Sequence, residues 1–598
     1  MILQSLVRYY EALEKKGKIT KPGWCMAKVS FALDISEKGE LCGLIPLKIE
    51  KEQGKKKVQI PQTLMVPQMV TRSSGVASNF LCDNSSYFLG ADNKGKPKRS
   101  MECFQCAKEK HQIILKNADS RISKAIQNFF EVWEPEKAQE HPIIQKYKDE
   151  LFAGGNLIFC VDGEFAQDDP QIKEAWETYV QELEEGPEGI CLVTGKRAEI
   201  ARIHGTIKGI QGAQSSGAAL VSFNEPAFNS YGKEQSFNAP VSTYGVYAYT
   251  TALNHLIADK KHTTVLGDST IVYWAEDGDE QYQDIFSFIS DPTEENQEIV
   301  DGVFKSLAQG RPINVDDVYN GLSLEQKFYI LGLAPNAARI AVRFFYQDSF
   351  GNILKNVRDH YDRLRLVKPV QDTVEYYGIW RLLQATVNKK SKDKKPTSNM
   401  AGAVFQSVIS GTRYPESLYQ SVFIRIRAEQ DDSDEKIYKI TRGRVAIIKA
   451  FLIKNRNYSK EEVTMALNEE SKNIAYVLGR EFAVLEIIQK EVNPDIKATI
   501  KERYFNAACA TPASIFPVLF KLKNSHIKKL DNVKKERYYE NLLGSLQDKL
   551  EVMGDQRTAC PRRLSLEEQG MFVLGYYHQR QKQFEKKQKE DGKDERSN

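Results

Sequence analysis

Cysteine and histidine supply the first candidate chemistry in this sequence. Cys103 and Cys106 form a CxxC pair, and His111 follows five residues later. Because a CxxC turn presents two thiolates to one side of a tetrahedral zinc ion, this spacing is half of a zinc site. Cys191 and His204 would complete such a site only if the fold brought them close, since no second CxxC pair occurs. The alternative is a helix with two modestly apolar cysteines, and we expect no metal and no cofactor.

Residues typical of catalytic centres are scattered. The eight histidines form no HxxxH pair, no GxSxG elbow occurs, and no carboxylate cluster falls on a recognisable motif. We therefore predict that the chain is not an enzyme and has no catalytic residues. A cryptic metal-dependent nuclease that uses the cysteine and histidine positions remains the enzymatic alternative.

A polar stretch between residues 71 and 99 is the strongest candidate for contacts with DNA. Arginine and asparagine side chains can read base edges through paired donors and acceptors, and serine and glycine permit close approach of the backbone. The candidates for duplex reading are Arg72, Ser73, Ser74, Gly75, Asn79 and Asn84, and those for phosphate contact are Lys94, Lys96, Lys98 and Arg99. An asparagine-rich loop that structures its own backbone explains the first group equally well.

Two further segments are candidates for contact with a nucleic-acid backbone. The glycine-rich stretch 208–223 contains Gln214, Ser215, Ser216 and Gly217, but it lacks the Gly-Lys-Ser/Thr ending of a nucleotide-binding P-loop. A tight turn into a strand is the alternative there. The segment 521–537 has seven Lys/Arg and two acidic residues, and its lysines alternate with apolar residues at helical spacing. Its candidates are Lys521, Lys523, Lys528, Lys529, Lys534 and Lys535.

Composition limits the class of protein. The 598 residues carry 84 Lys+Arg and 80 Asp+Glu, so the formal charge is only +4. Bulk charge therefore does not indicate a nucleic-acid binder, and any such surface must be local. Nine sparse, irregularly spaced cysteines and the absence of a long apolar run favour a cytoplasmic protein without a membrane span.

The order of patterns predicts an α+β fold, with a mixed β-rich and α-helical N-terminal portion followed by an all-α C-terminal bundle. Residues 29–35 and 41–47 are predicted to form a hairpin, and 79–90 and 190–195 to be β-rich or strand. The predicted domains are a β-rich domain over 1–118, a mixed α/β domain over 119–387, a basic linker or loop over 388–400, a helical bundle over 401–580 and a disordered charged tail over 581–598.

Several segments together resemble one family, the large subunit of the type I-C CRISPR surveillance complex (type I-C Cascade). The resembling segments, in order, are MILQSLVRYYEAL, RSSGVASNFLCDN, residues 191–242, AYTTALNHL, LGLAPNAARIAVRFF, LGREFAVLEIIQ, RYFNAACATPASIFPVL and LSLEEQGMFVLGYYHQRQ. They extend from residue 1 to about residue 581, nearly the whole chain.

The resemblance implies a non-catalytic role in antiviral defence. Members of the family join a guide RNA and other Cascade subunits, check the protospacer-adjacent motif of target double-stranded DNA, hold the displaced strand in the R-loop and recruit a separate helicase-nuclease. A purely structural assembly bridge without DNA contact is a further alternative. The family also makes its helical C-terminal part separately as a small subunit, and Met465 is the best-placed internal start for such a product of 134 residues (598 − 465 + 1).

Overall fold

The computed structural model describes residues 1–53, 56–70, 72, 75–182, 186–315, 319–369, 372–550 and 560–594. It confirms the α+β class, since the sheets lie in the N-terminal part of the chain and the described residues after Ser349 form helices and no strand. The chain divides into two compact units. Unit 1 is Met1–Thr206 with Val221–His255, and unit 2 is Ile207–Leu220 with Leu256–Asn598.

Unit 1 is built on a seven-stranded sheet. Its strands are β1 Trp24–Ile35, β2 Leu41–Pro46, β3 Lys48–Gln53, β4 Lys56–Pro67, β5 Cys82–Asp83, β6 Asn156–Val161 and β7 Glu164–Phe165. The order is β3-β4-β1-β6-β5, with β2 also on β1 and β7 also on β6. β1 and β2 pair antiparallel, which confirms the predicted hairpin, and β6 pairs parallel with β1. A small hairpin joins β8 Glu188–Ile190 and β9 Arg197–Glu199.

Unit 1 also contains helices. They are α1 Ile2–Lys15, α2 Ser85–Phe88, α3 Pro97–Leu115, α4 Arg121–Val132, α5 Pro142–Gln145, α6 Lys148–Phe152, α7 Pro170–Glu182 and α8 Thr243–Ala258, whose last three residues belong to unit 2. Leu115 of α3, Ile122 of α4 and Phe159 of β6 share one core. The predicted boundary after residue 118 therefore falls inside this core, because the parallel strand β6 returns beside β1.

Two strand predictions in unit 1 require correction. The stretch 79–90 contains only the two-residue strand β5, because Asn84 caps α2 by accepting a hydrogen bond from the Ser86 backbone N–H. In the stretch 190–195 only Ile190 belongs to a strand, β8, and residues 191–195 form a turn, in which the Gly195 N–H donates to the Cys191 carbonyl oxygen at 2.8 Å. Gly195 has φ +71°, a conformation that favours glycine.

Unit 2 contains a six-stranded sheet of order β10-β11-β17-β16-β13-β12. The strands of this unit are β10 Thr206–Ile207, β11 Ala218–Ala219, β12 Thr263–Leu266, β13 Ser269–Ala275, β14 Ile313–Val315, β15 Tyr319–Leu322, β16 Lys327–Asn336 and β17 Arg339–Ser349. β14 and β15 form a separate hairpin. β16 and β17 are the longest pair and are antiparallel.

The helices of unit 2 pack on this sheet and then on one another. They are α9 Glu280–Ser290, α10 Gln297–Ala308, α11 Phe350–Leu364, α12 Ile379–Leu383, α13 Ser398–Ser410, α14 Glu416–Ala428, α15 Arg442–Arg456, α16 Ile474–Val492, α17 Ile500–Ala510, α18 Pro512–Ile527, α19 Val533–Gln547 and α20 Leu566–Asp594. One core runs from Ile271 of β13 to Tyr577 of α20. The loop predicted at 388–400 ends at residue 397, directly before α13 begins, and one continuous core includes residues on both sides of it.

The C-terminal helices surround α16. Every residue from Ala475 to Ile488 is buried, and α17, α18, α19 and α20 all pack against this helix. α20 continues to Asp594, beyond residue 581, where the sequence predicts a disordered tail. The Lys, Glu and Gln residues of that segment are good helix formers, which is consistent with the extension. Among the described residues, no helix is long and apolar enough to cross a membrane.

Candidate nucleic-acid interface

Arg72 is held inside the loop that precedes α2. Its Nε donates to the Ala77 carbonyl oxygen at 2.6 Å, and its two Nη atoms contact both carboxylate oxygens of Asp83. The guanidinium also lies over the ring of Tyr87, 4.0 Å from its centroid. These contacts leave little of Arg72 to read a base edge, so its geometry favours the interpretation in which the loop structures its own backbone.

The two predicted asparagines also support this loop. Asn79 is 1% exposed, and its Oδ1 accepts from the Val70 N–H at 2.9 Å. Asn84 uses its Oδ1 to cap α2. Ser73 and Ser74 lie outside the described residues. Of the predicted duplex readers, the structure therefore places Asn79 in the interior, and Arg72 and Asn84 in partly buried, hydrogen-bonded positions.

The basic segment that follows is differently placed. Asp92 accepts from Ser86 Oγ at 2.6 Å and from the Lys94 N–H at 2.8 Å, which fixes the turn before α3. These hydrogen bonds outweigh the effect of burial and lower the pKa of Asp92. Pro97 occupies the first turn of α3 after Lys96 at the N-cap. The turn thus projects a basic segment whose members are all exposed: Lys94, Lys96, Lys98 and Arg99.

A cavity of about 200 Å³ opens beside this turn. Its lining combines both groups of predicted residues with several that sequence reasoning did not select. The predicted members are Arg72, Gly75, Asn84, Lys94, Lys96 and Arg99, and the others are Ser86, Tyr87, Asp92, Ser100 and Cys103. The lining contains four cations, those of Arg72, Lys94, Lys96 and Arg99, and one carboxylate, that of Asp92. Asp83, which does not line the cavity, pairs with Arg72. We call this cavity the basic pocket.

The other two predicted segments lie in unit 2 and do not contribute to the basic pocket. Gln214, Ser215 and Ser216 form an exposed turn, closed by the Gly217 N–H bonding to the Gln214 carbonyl oxygen at 3.0 Å. The turn leads into β11, and Gly217 has φ +100°. This is the predicted tight turn before a strand, with two hydroxyl side chains at its surface.

The lysine-rich segment forms the end of the α18–α19 hairpin. Lys523 pairs with Glu540 at 2.9 Å, and Lys535 lies 3.5 Å from Glu491. In the described part of the chain no carboxylate pairs with the remaining exposed lysines, which are Lys521, Lys528, Lys529 and Lys534. The hairpin therefore presents a cationic surface, termed here the hairpin surface.

Met465 lies between α15 and α16, before the helix that forms the centre of the C-terminal group. Its side chain is 48% exposed, and its carbonyl oxygen accepts from the Val367 N–H at 2.9 Å. The central helix α16 contacts α17, α18, α19 and α20, all of which follow Met465. The helices that pack most closely on α16 therefore all lie in the segment from Met465, while α20 also packs against α15.

Three of the candidate metal ligands, His111, Cys191 and His204, each make hydrogen bonds to different neighbours. His111 uses Nδ1 toward the Ala107 carbonyl oxygen at 2.7 Å, and its Nε2 accepts from the Leu81 N–H at 3.0 Å. Burial lowers the pKa of His111 to about 3. Cys191 Sγ accepts hydrogen bonds from Ser242, and His204 Nδ1 bonds Tyr249 Oη at 2.7 Å. No group of three metal-type ligands occurs within the described ranges.

Sequence reasoning missed Asp83 and Tyr87, which position Arg72. Asp83 lies one residue before the helix cap at Asn84, and Tyr87 lies in the helix that the cap begins. The Asp-Asn-Ser-Ser run is a helix N-terminus signal that can be read from sequence. This signal predicts that Asp83 lies directly before a helix. The pairing of Asp83 with Arg72 depends on the tertiary fold and cannot be predicted from this signal.

One family comparison bears on the whole chain. The sequence model of a family described as CRISPR-associated protein (Cas_Csd1) matches residues 6–584. This range includes the basic pocket, the hairpin surface and Met465. No curated protein matches the chain.

Proposed function

Because the chain belongs to the CRISPR-associated Cas_Csd1 family, we propose that it is the large, non-catalytic subunit of a type I-C guide-RNA surveillance complex. In this role it recognises the protospacer-adjacent motif in target duplex DNA, stabilises the R-loop and recruits a helicase-nuclease. Guide pairing supplies most of the sequence specificity, so the protein needs to contact only a short motif and the backbone.

The observation that carries the proposal is the basic pocket. Lys96, Lys98 and Arg99 lie at the N-terminus of α3, a 19-residue helix with no acidic residue in its first turn. The positive end of a helix dipole disfavours cations and favours anions. A bound phosphate therefore relieves repulsion among these residues while it accepts hydrogen bonds from Lys94 and Lys96.

The placement of Arg72 gives it a supporting role in this proposal. Its bonds to Ala77 and Asp83 fix the loop on one side of the pocket, and the bonds of Asp92 fix the turn on the other. Hydrogen bonds on both sides of the pocket therefore position the cations in the absence of DNA. This arrangement reduces the entropy that is lost when DNA binds. Phosphate contacts of this kind set the register of the duplex, and contacts to base edges specify the motif.

Neutralising the pocket lysines tests the proposal. In the assembled complex, Lys94→Ala with Lys96→Ala should weaken binding of target duplex about tenfold and make its salt dependence shallower by about two units, near one unit per lost phosphate contact. Lys15→Ala with Lys16→Ala removes two exposed charges from α1 of the same unit and is the matched control. Guide-RNA assembly should survive in both variants. Unchanged duplex binding in the pocket variant would contradict the assignment.

The C-terminal helices support a second part of the proposal. We propose that translation also begins at Met465 and yields a small subunit of 134 residues that carries the hairpin surface. The main neighbours of α16 are α17, α18, α19 and α20, which all follow it in the chain. This packing supports a product from Met465 that folds on its own. The lysines of the hairpin surface then supply backbone contacts to nucleic acid along the complex.

A further inference from the structure

A second group of cations lies in unit 2, on α11, α15 and the turn 411–415 between α13 and α14. Lys449 Nζ donates to the Arg363 carbonyl oxygen at 3.0 Å, and Arg363 Nε donates to Tyr414 Oη at 3.2 Å. Lys449 is 4% exposed and Arg363 is 8% exposed. Among the residues that the structure describes, these two buried cations thus donate to neutral oxygen atoms and to no carboxylate.

Two further cations lie at the surface beside them. Asn455 fixes the turn: its Oδ1 accepts from the Tyr414 N–H at 3.0 Å, and its Nδ2 donates to the Tyr414 carbonyl oxygen at 2.8 Å. Arg413 directly precedes Tyr414 and is exposed, and Lys454 directly precedes Asn455. The double hydrogen bond therefore holds Arg413 and Lys454 near each other.

The charges of this group do not balance. Among the residues that the structure describes, no carboxylate lies within ion-pair distance of Arg363, Arg413, Lys449 or Lys454. The facing carboxylates are Asp359, which lies 3.6 Å from Arg358, and Asp362. Arg365 is paired with Glu375, and Lys460 adds another positive charge.

Burial and neighbouring positive charges both disfavour the charged forms of Lys449 and Lys454. Burial, together with the positive charges of Lys460, Arg365 and Arg363, lowers the pKa of Lys449 to about 8, although Asp362 acts in the opposite direction. Burial, Arg363 and Arg413 likewise lower the pKa of Lys454, against the effect of Asp359. Buried cations without an anionic partner are costly, so an external anion would stabilise this arrangement.

We propose that Arg413 and Lys454, backed by Arg363 and Lys449, bind the phosphodiester backbone of a nucleic-acid strand. The proposal rests on the proposed nucleic-acid role of the chain and adds a contact site separate from the basic pocket. An exposed arginine on a turn and a half-buried lysine on a helix beside it suit a ligand with repeated negative charge, which a strand supplies. The displaced DNA strand and the guide RNA share this chemistry.

The test uses the full chain and one mixed-sequence oligonucleotide, labelled with fluorescein and prepared as single-stranded DNA and as RNA. Arg413→Ala with Lys454→Ala should weaken binding about tenfold and reduce the salt slope by about 1.4, near 0.7 per lost contact for single strands. Lys305→Ala with Arg311→Ala removes two exposed charges elsewhere in unit 2 and serves as the control. Loss with DNA alone assigns the displaced strand, loss with RNA alone assigns the guide, and loss with both assigns the shared backbone.

Thermal unfolding separates binding from a structural role. Without nucleic acid, Arg413→Ala with Lys454→Ala should unfold at the same or a higher temperature, because repulsion is removed. An equal salt slope in wild type and variant, or an equal loss in the control, would overturn the inference. If these variants bind normally while the pocket variant loses target duplex, the inference fails and the proposed function stands. If wild type binds no oligonucleotide and the pocket variant has no effect, the proposed function itself fails.

Discussion

Arg72 and Asp83 form a bidentate ion pair, with Nη1 2.9 Å from Oδ1 and Nη2 in contact with Oδ2. The Asp83 side chain is 1% exposed, and it also accepts from the Asn79 N–H at 2.8 Å and the Asn84 N–H at 2.9 Å. One buried carboxylate therefore binds the arginine and both asparagines among the six predicted duplex readers. The hydrogen bonds of these residues fix the shape of the loop, and the exposed lysines Lys94, Lys96 and Lys98 lie beside it.

Replacing Arg72 should destabilise this loop. Arg72→Ala leaves the buried Asp83 without its cation, which we expect to cost about 2–3 kcal/mol of unfolding free energy, discounted because Arg72 is partly exposed. Arg121→Ala is the control, since Arg121 contacts three carboxylates but is exposed, and its loss should barely move the unfolding midpoint. Urea unfolding and hydrogen exchange over residues 75–92 measure the difference. Equal effects of the two variants would contradict the structural role of Arg72.

Acid should destabilise the protein through its buried histidines. Burial lowers the pKa of His578 to about 3, while the unfolded value is near 6.5. As the pH falls below 6.5, His578 is protonated in the unfolded state but stays neutral in the folded state. The contribution of His578 to folding stability, which is complete above pH 6.5, is therefore lost as the pH falls toward 3. One such group accounts for about 2 kcal/mol between pH 7 and pH 5. His578→Asn should reduce this pH dependence by that amount in urea unfolding; an unchanged dependence would show that His578 titrates normally.

The buried Glu481 of α16 should have the opposite effect. Burial raises the pKa of Glu481 to about 7, and the nearby Gln547 side chain acts against the rise. In the described part of the chain, neither carboxylate oxygen has a partner in good hydrogen-bond geometry. Because the folded pKa lies above the unfolded value of 4.5, stability falls as the pH rises from 4.5 to 7. Glu481→Gln should therefore raise stability at pH 8 by about 2–3 kcal/mol and change it little at pH 5. Destabilisation at pH 8 would contradict the assignment.

The internal start can be removed without disturbing the full chain. Because the Met465 side chain is 48% exposed, Met465→Leu should leave the large product folded and eliminate the co-purifying product of 134 residues. Met571→Leu is the control, since that residue is buried in α20 and a start there would leave too little chain for a helical bundle. Gel electrophoresis of the purified complex shows both products. Persistence of the small band in Met465→Leu would place the start elsewhere.

Local patterns predict the local structure well. The apolar spacing of residues 2–13 gives α1, and the polar turn around Gly39 gives the β1–β2 hairpin. The domain boundaries depend on long-range pairing, which local patterns do not contain: β6 joins the sheet beside β1 from more than a hundred residues away. The sequence also identifies the basic turn at 94–99. The partners of Arg72 and the cluster around Arg413 and Lys454 require the tertiary fold.

Photocrosslinking of the assembled complex to target duplex tests the central claim most directly. With a photoreactive group on the DNA backbone next to the protospacer-adjacent motif, mass spectrometry should map the crosslinks to the exposed segment that contains Lys94, Lys96, Lys98 and Arg99. A crosslink at these residues supports DNA contact at the basic pocket. Crosslinks that map entirely to other subunits, with none in this chain, would contradict the account and leave a purely structural bridge.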